Sequence, residues 1–305
     1  MAIKFFKTGI CTTFQDQGRF GNARFGVNHG GMMDWFSTKA LNILLGNEPN
    51  EAVLELFFPA AEIEFLEATQ FAIIGGDFEP TLNHKTIENN RIQTAAAGDV
   101  LRFKQQKKGM ITYLAVAGGF SLDTWLGSVS PNQAADFQTF EIQKNTVLPF
   151  KKPFLETKNL LTVSSFLWPK FTNQIRFIPS EIASAGLEKQ DFKLNQDSNR
   201  MGYRFDSITI EQPIGDFSVS EAVNFGTIQL LPSGQIIILM ADHQTSGGYP
   251  RLGQVILADL PLLAQLQTHQ SMNLIPCSIE VAEDAYFEQL TDLRKLAAGV
   301  AISSK

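Results

Sequence analysis

Short segments rich in Ile, Val, Phe and Thr follow one another along this chain with few helical patterns between them. They are Ile3–Phe6, Val53–Phe57, Glu62–Leu66, Phe71–Gly75, Val100–Phe103, Ile111–Ala117, Ile175–Ile178, Ser207–Glu211, Gly226–Leu231 and Gln235–Met240. Gly, Pro, Asn or Asp punctuates most of their ends, as expected of strands bounded by turns. Leu231-Pro232-Ser233-Gly234-Gln235 reads as a hairpin turn, with Pro presetting φ and Gly supplying a positive φ. Three segments carry helical spacing: Asp34–Leu45, with Asp34 as cap and Gly46-Asn47 as stop, then Leu260–Leu266, then Ala282–Ala298. Without regular β-α-β alternation, a doubly wound parallel sheet is excluded. The chain is expected to be mainly β with a few helices, of barrel or sandwich class.

With 305 residues the chain is long enough for about two domains and a sizeable core without disulfides. A β lobe with a glycine-rich loop is expected at 1–130, a polar loop or linker at 131–158, and a β-barrel lobe with a terminal helix at 159–305. Asp and Glu (31) outnumber Lys and Arg (25), which argues against a nucleic-acid partner. No apolar run approaches the roughly 20 residues of a membrane span. The first residues, Met1-Ala2-Ile3-Lys4-Phe5-Phe6, lack a secretory core, and Cys11 and Cys277 offer no disulfide framework. A cytoplasmic location is the expectation. His29, His84, His243 and His269 show no metal-ligand spacing, and no metal site is expected. Phosphate-loop, dinucleotide and nucleophile-elbow motifs are all missing from the sequence.

Three segments concentrate unusual residues. The first runs from Thr13 to Asp34 and holds Gly18, Gly21, Gly26, Gly30 and Gly31 ahead of a helix start. Its backbone N–H groups and Arg19 could meet an anion; equally, it could be a cover loop with Arg19 paired to Asp16. The second is Gln196–Phe205, where Asn199, Arg200, Tyr203 and Arg204 could bind an anion or amide. The bland alternative is a polar turn with local Asp197–Arg200 or Asp206–Arg204 pairs. The third, Met240–Arg251, follows the most apolar strand. Asp242 could serve as base or acceptor and Gln244 could read an amide, or the segment simply ends the strand.

Taken in order, Thr13–Arg19, Gly31–Asp34, Leu114–Gly119, Asp197–Arg204 and Ala241–Pro250 resemble the biotin-dependent carboxyltransferase family. That family includes allophanate hydrolase subunit 2, KipA and the C subunit of 5-oxoprolinase. The match runs from about residue 5 to about residue 270, and Arg-Met-Gly-Tyr-Arg with Gln-Thr-Ser-Gly-Gly-Tyr-Pro is a specific combination. The resemblance implies a cyclophilin-like β-barrel architecture in two lobes. It implies a companion of the KipI or allophanate hydrolase subunit 1 type. In one branch it also implies a third protein, similar to the A subunit of 5-oxoprolinase. Asn28, Gly30, Val129 and His243 depart from the family pattern, and Pro131–Thr146 lacks its usual second glycine-rich, Arg-containing segment.

Within the family, carboxybiotin chemistry needs a lysine flanked by methionines, and no Lys here has Met on both sides. No biotin is therefore expected on this chain. A stand-alone protein of this length fits the branch that opens 5-oxoproline to glutamate in a heteromeric complex, with ATP and its magnesium as expected cofactors. The alternatives are a KipA-type protein that antagonises a kinase inhibitor, or carboxyl transfer to urea or an amide from a separate carrier. For the lactam reading, Asp242, Tyr249 and Arg200 are the expected catalytic residues. Asp16, Arg19, Asp34, Asn199, Tyr203, Arg204, Gln244, Thr245, Gly247 and Gly248 are expected to bind the small amide substrate.

Overall fold

Alternation of buried and exposed side chains builds the strands of this chain. In the computed structural model the described residues are 2–138, 140–151, 172–180, 187–206 and 219–303. The expected strand Ser207–Glu211 lies outside them. The chain divides into two compact units: Met1–Gly18 with Asp34–Pro169 and Leu290–Lys305, and Arg19–Met33 with Lys170–Gln289.

The first unit holds β1 (Ala2–Lys7), β2 (Ile10–Gln15), α1 (Trp35–Leu44), β3 (Val53–Phe57), β4 (Glu62–Phe65), β5 (Thr69–Asp77) and β6 (Pro80–Leu82). It continues with β7 (Lys85–Thr86), β8 (Gln93–Ala95), β9 (Val100–Phe103), β10 (Lys108–Val116) and β11 (Val147–Pro149). Two sheets form, in the orders β11-β1-β4-β9-β6-β7 and β2-β3-β10-β5-β8. Ile3, Phe5, Ile63, Phe65 and Leu101 of the first sheet share one core with Leu54, Leu56, Phe71, Ile73 and Leu114 of the second. Phenylalanine supplies much of this packing; the Phe65 and Phe71 rings stack with centroids 4.8 Å apart. Helix α1 packs on β5 and β10, so those strands are buried on both faces and read as nearly continuous apolar runs. Asp34 caps α1 as expected, its carboxylate accepting the Ser37 N–H at 2.9 Å. Strand β11 lies within the stretch expected to be a loop or linker and pairs antiparallel with β1. Three residues are too few to display an alternating pattern.

The second unit is built on β12 (Gln174–Pro179), β13 (Phe192–Leu194), β14 (Gly202–Asp206), β15 (Glu221–Ala222), β16 (Thr227–Leu230) and β17 (Ile236–Leu239). It is completed by β18 (Ser246–Gly247), β19 (Arg251–Val255), α2 (Leu260–Ala264) and β20 (Ser271–Pro276), and α3 (Ile279–Ser303) follows. Seven strands close a barrel in the order β12-β19-β16-β17-β14-β13-β20. The parallel pairing of β20 with β12 completes the ring and leaves no open edge. Inside lie Phe177, Phe192, Phe205, Ile228, Ile238, Leu252 and Leu274, none more than 1% exposed. The barrel is the architecture that the strand count and the family resemblance both pointed to. The Leu231–Gln235 turn joins β16 to β17, and Gly234 takes the left-handed conformation at φ 83°. Tyr203-Arg204-Phe205, for which a polar loop is one of two sequence readings, forms the middle of β14, with Tyr203 and Phe205 inward and Arg204 outward.

Candidate functional site

The barrel unit brings three of the unusual segments to one place. Gly202 opens β14 at a tight turn in which Asn199 and Gly202 exchange two backbone hydrogen bonds of 3.2 Å. The Asn199 side chain holds that turn by accepting the Met201 N–H at 2.8 Å. Arg200 projects from its tip. Its Nε donates to Asp242 Oδ2 at 2.8 Å and its Nη2 to Asp242 Oδ1 at 3.0 Å. The same Nη2 reaches the Gly31 carbonyl at 2.6 Å. The Asp242 N–H donates to the Arg200 carbonyl at 2.8 Å, and Asn28 Nδ2 donates to the Asp242 carbonyl at 3.1 Å. A forked guanidinium matches a carboxylate at two points, which fixes orientation as well as charge. The local pairs of the bland alternative, Asp197–Arg200 or Asp206–Arg204, are not formed among the described residues; Asp206 accepts from Asn195 at 2.8 Å. Asn28, a departure from the family pattern, helps to tether the glycine loop at this node.

The glycine loop closes on itself through the Arg19 N–H, which donates to the His29 carbonyl at 2.8 Å. Gly30 and Gly31 both have positive φ, 67° and 87°, so side chains are disfavoured where the loop meets Arg200. Arg19 is 2% exposed, whereas Phe20 and Phe25 are each 69% exposed.

Beyond Asp242, His243 is buried and its Nδ1 lies 2.6 Å from the Gln244 carbonyl. Burial holds its pKa below the ordinary imidazole value, so the neutral form is favoured. Gln244 and Gly248 are exposed, Thr245 is half-buried, and Tyr249 is 46% exposed. Gly247 packs so closely that a Cβ there would fall 2.6 Å from Gln229 Nε2. Tyr203 is turned inward and donates its hydroxyl to the Ala264 carbonyl at 3.2 Å. Arg204 points outward on β14.

Other expected site residues belong to the first unit and serve its architecture. Asp16 accepts from the Gly18 N–H at 2.8 Å, the Ser128 hydroxyl at 2.6 Å and the Val129 N–H at 2.8 Å. Its carboxylate is thereby held by neutral donors in a turn. Asp34 caps α1, and its N–H donates to the Tyr113 hydroxyl at 3.0 Å. That hydroxyl donates in turn to Glu55 Oε2 at 2.8 Å. Glu55 and Tyr113 are fully buried and were not foreseen. The one clue was an acidic residue in the middle of the apolar strand Val53–Phe57. Burial, then the Glu55 and Asp34 charges, push the Tyr113 phenol well above its usual range. Among the described residues no group of three or more His, Cys, Asp or Glu side chains converges as a metal site. No described helix is long and apolar enough to cross a membrane.

Residues 25–276 match the family model of the carboxyltransferase domain, subdomain A and B. The chain is 32% identical over 304 residues to the 5-oxoprolinase C subunit of Escherichia coli strain K12, covering 94% of this chain and 97% of that protein. It is 35% identical over 280 residues to the 5-oxoprolinase C subunit of Haemophilus influenzae, covering 88% and 89%. The solved Kluyveromyces lactis urea carboxylase superposes with a TM-score of 0.87 at 23% identity over 97% of this chain. This chain spans only 29% of that much longer protein, and the likeness concerns the fold. The chain therefore belongs to the carboxyltransferase-domain family, subdomain A and B, together with the two bacterial 5-oxoprolinase C subunits.

Proposed function

We propose that this chain is the C subunit of an ATP-dependent 5-oxoprolinase, opening 5-oxoproline to glutamate together with companion proteins in the cytoplasm. The similarity over nearly the whole of two 5-oxoprolinase C subunits carries this reading. The companions are a KipI or allophanate hydrolase subunit 1 type protein and a protein similar to the A subunit of 5-oxoprolinase.

A lactam resists hydrolysis because its amide is resonance-stabilised. ATP supplies activation of the carbonyl oxygen in the complex. Arg200, an expected catalytic residue that could meet an anion, already holds Asp242 at two points and the Gly31 carbonyl at a third. We therefore place nucleotide and magnesium on the companions. This chain's part is to bind and orient the lactam: Arg200 and Asp242 hold the glycine loop and the 241–245 turn in register. Tyr249, Gln244 and Arg204 are exposed and are assigned the polar contacts to the substrate.

A coupled assay of the co-expressed proteins tests the reading by following glutamate release from 5-oxoproline with and without ATP. Release that needs ATP and disappears when this chain is omitted is the expected result. No release from an assembled, soluble complex would overturn it and favour the KipA-type regulator or another amide. If Arg200→Ala, Asp242→Ala and Tyr249→Phe all retain full activity in that assay, the site assignment is wrong.

A further inference from the structure

A second recognition element lies on the outer face of the barrel, across strands β14, β17, β16 and β19. Register pairs Arg204 of β14 with Ile237 of β17, Ile237 with Gln229 of β16, and Gln229 with Arg251 of β19. Paired residues on neighbouring strands share a face and stand about 5 Å apart. Arg204, Ile237 and Gln229 thus form one row, on the face opposite the inward Phe205, Ile238 and Ile228, and Arg251 is paired with Gln229 just past a register irregularity that leaves Leu252 without a partner.

Gln229 is the anomaly in that row. Its side chain is 1% exposed, yet its Oε1 has no hydrogen-bond partner among the described residues. Its Nε2 has a single long bond of 3.5 Å, to the Tyr249 carbonyl. A primary amide has two donors and a two-lone-pair acceptor, and leaving them unmet in a buried place is costly. The covering segment is Ser246–Tyr249, and the bare Gly247 backbone lies against the amide. Among the described residues that strap is held by a two-residue ladder with β15 and the long Gln229–Tyr249 bond, and the Val223 N–H donates to the adjacent Thr245 carbonyl at 3.3 Å. So short a ladder is cheap to open. Arg251 has no ion-pair partner among the described residues, and it lines a cavity of about 410 Å³ with Asn224, Phe225, Gln254 and Leu257.

We infer that Gln229 and Arg251 form a recognition pair for a small cyclic amide that carries a carboxylate, admitted when the Ser246–Tyr249 strap lifts. A lactam is locked in the cis-amide form, with N–H and C=O on the same side. The Gln229 amide is complementary to it at two points: Oε1 accepts the lactam N–H, and the N–H syn to it donates to the lactam oxygen. Arg251, on the adjacent strand, takes the carboxylate with its fork. The inference rests on the proposed function and names the residues that would select its substrate.

The test uses the complete complex, with 5-oxoproline as substrate and 2-pyrrolidinone, the same ring without the carboxylate, as competitive inhibitor. Gln229→Leu and the near-isosteric Gln229→Glu are expected to weaken both ligands by about tenfold or more, since a lost polar match costs more than a lost methylene. Arg251→Gln is expected to raise KM for 5-oxoproline about tenfold while changing the 2-pyrrolidinone inhibition constant less than about twofold. Urea unfolding of each variant identifies a fold defect, and Arg251→Gln, on a partly exposed site, carries the test if the Gln229 variants unfold. A wild-type complex that turns over 5-oxoproline with all variants unchanged overturns this inference alone. Equal loss of both ligands in Arg251→Gln also overturns it. A wild-type complex that does not turn over 5-oxoproline instead sinks the proposed function on which it rests.

Discussion

Arg200 and Asp242 are 42 positions apart in the chain and face each other through two hydrogen bonds of 2.8 and 3.0 Å. The side chains are 14% and 27% exposed, so the pair sits between a surface ion pair and a buried one. It joins the turn before β14 to the turn after β17, and through the Gly31 carbonyl it also joins the glycine loop.

Removing either partner takes away the two-point contact of the other. We expect Arg200→Ala and Asp242→Ala each to destabilise the barrel unit by about 1–3 kcal/mol, below the cost for a fully buried pair. The double variant should lose less than the sum of the two. A double-mutant cycle by urea unfolding measures this, and additive effects would show that the pair contributes no coupling.

His243 adds a pH dependence to the same turn. Its folded pKa lies below the ordinary value of 6.5 because burial opposes charge. Below that pH the unfolded chain binds a proton that the folded chain does not, so stability falls as pH drops. The contribution is complete above the unfolded pKa and is lost as the pH falls toward the folded one. His243→Gln should flatten the fall of the unfolding free energy as the pH drops below about 6.5, read from urea melts across that range. An unchanged slope would place the titration elsewhere.

Tyr113 satisfies a carboxylate that has no access to water. Tyr113→Phe removes the donor to Glu55 and the acceptor for the Asp34 N–H while keeping the ring. The expected loss is about 1–3 kcal/mol, the cost of leaving a buried polar group unmet. Thermal unfolding should show a clear drop, and a melting temperature equal to the parent's would contradict the arrangement.

Two glycines should respond in opposite directions to alanine. At Gly247 the new Cβ would meet Gln229 Nε2 at 2.6 Å, so the end of the Gln229 side chain or the strap must shift and Gly247→Ala should cost about 1 kcal/mol. At Gly299, within α3, nothing lies within 4 Å of the added carbon. Gly299→Ala should stabilise its helix by about 0.5–1 kcal/mol through lower backbone entropy in the unfolded chain. Circular dichroism melts of the two variants give both signs in one experiment.

Local pattern was enough to place much of this molecule. Short apolar runs bounded by turn residues marked strands such as Val53–Phe57 and Gln235–Met240, Asp34 announced the start of α1, and Leu231–Gln235 announced a hairpin. Each of these is decided by neighbours a few positions away, through turn geometry, capping and the two-residue period of a strand. Short or polar strands escaped notice. Val147–Pro149 has too few residues to alternate, and β14 hides behind the charge of Arg204. Partnership was the larger gap. Arg200 had an acid three positions before it in Asp197, and Arg204 had Asp206 two positions after it, yet Arg200 chose Asp242. Chain closure alone decides this: barrel pairing of β14 with β17 sets their turns side by side. The row Arg204, Ile237, Gln229, with Arg251 paired beside it, is likewise a property of register across four strands, and no spacing along the chain encodes it. The burial of Glu55 and Gln229 also came only with tertiary packing, because whether a polar side chain on a strand meets water depends on what covers that face.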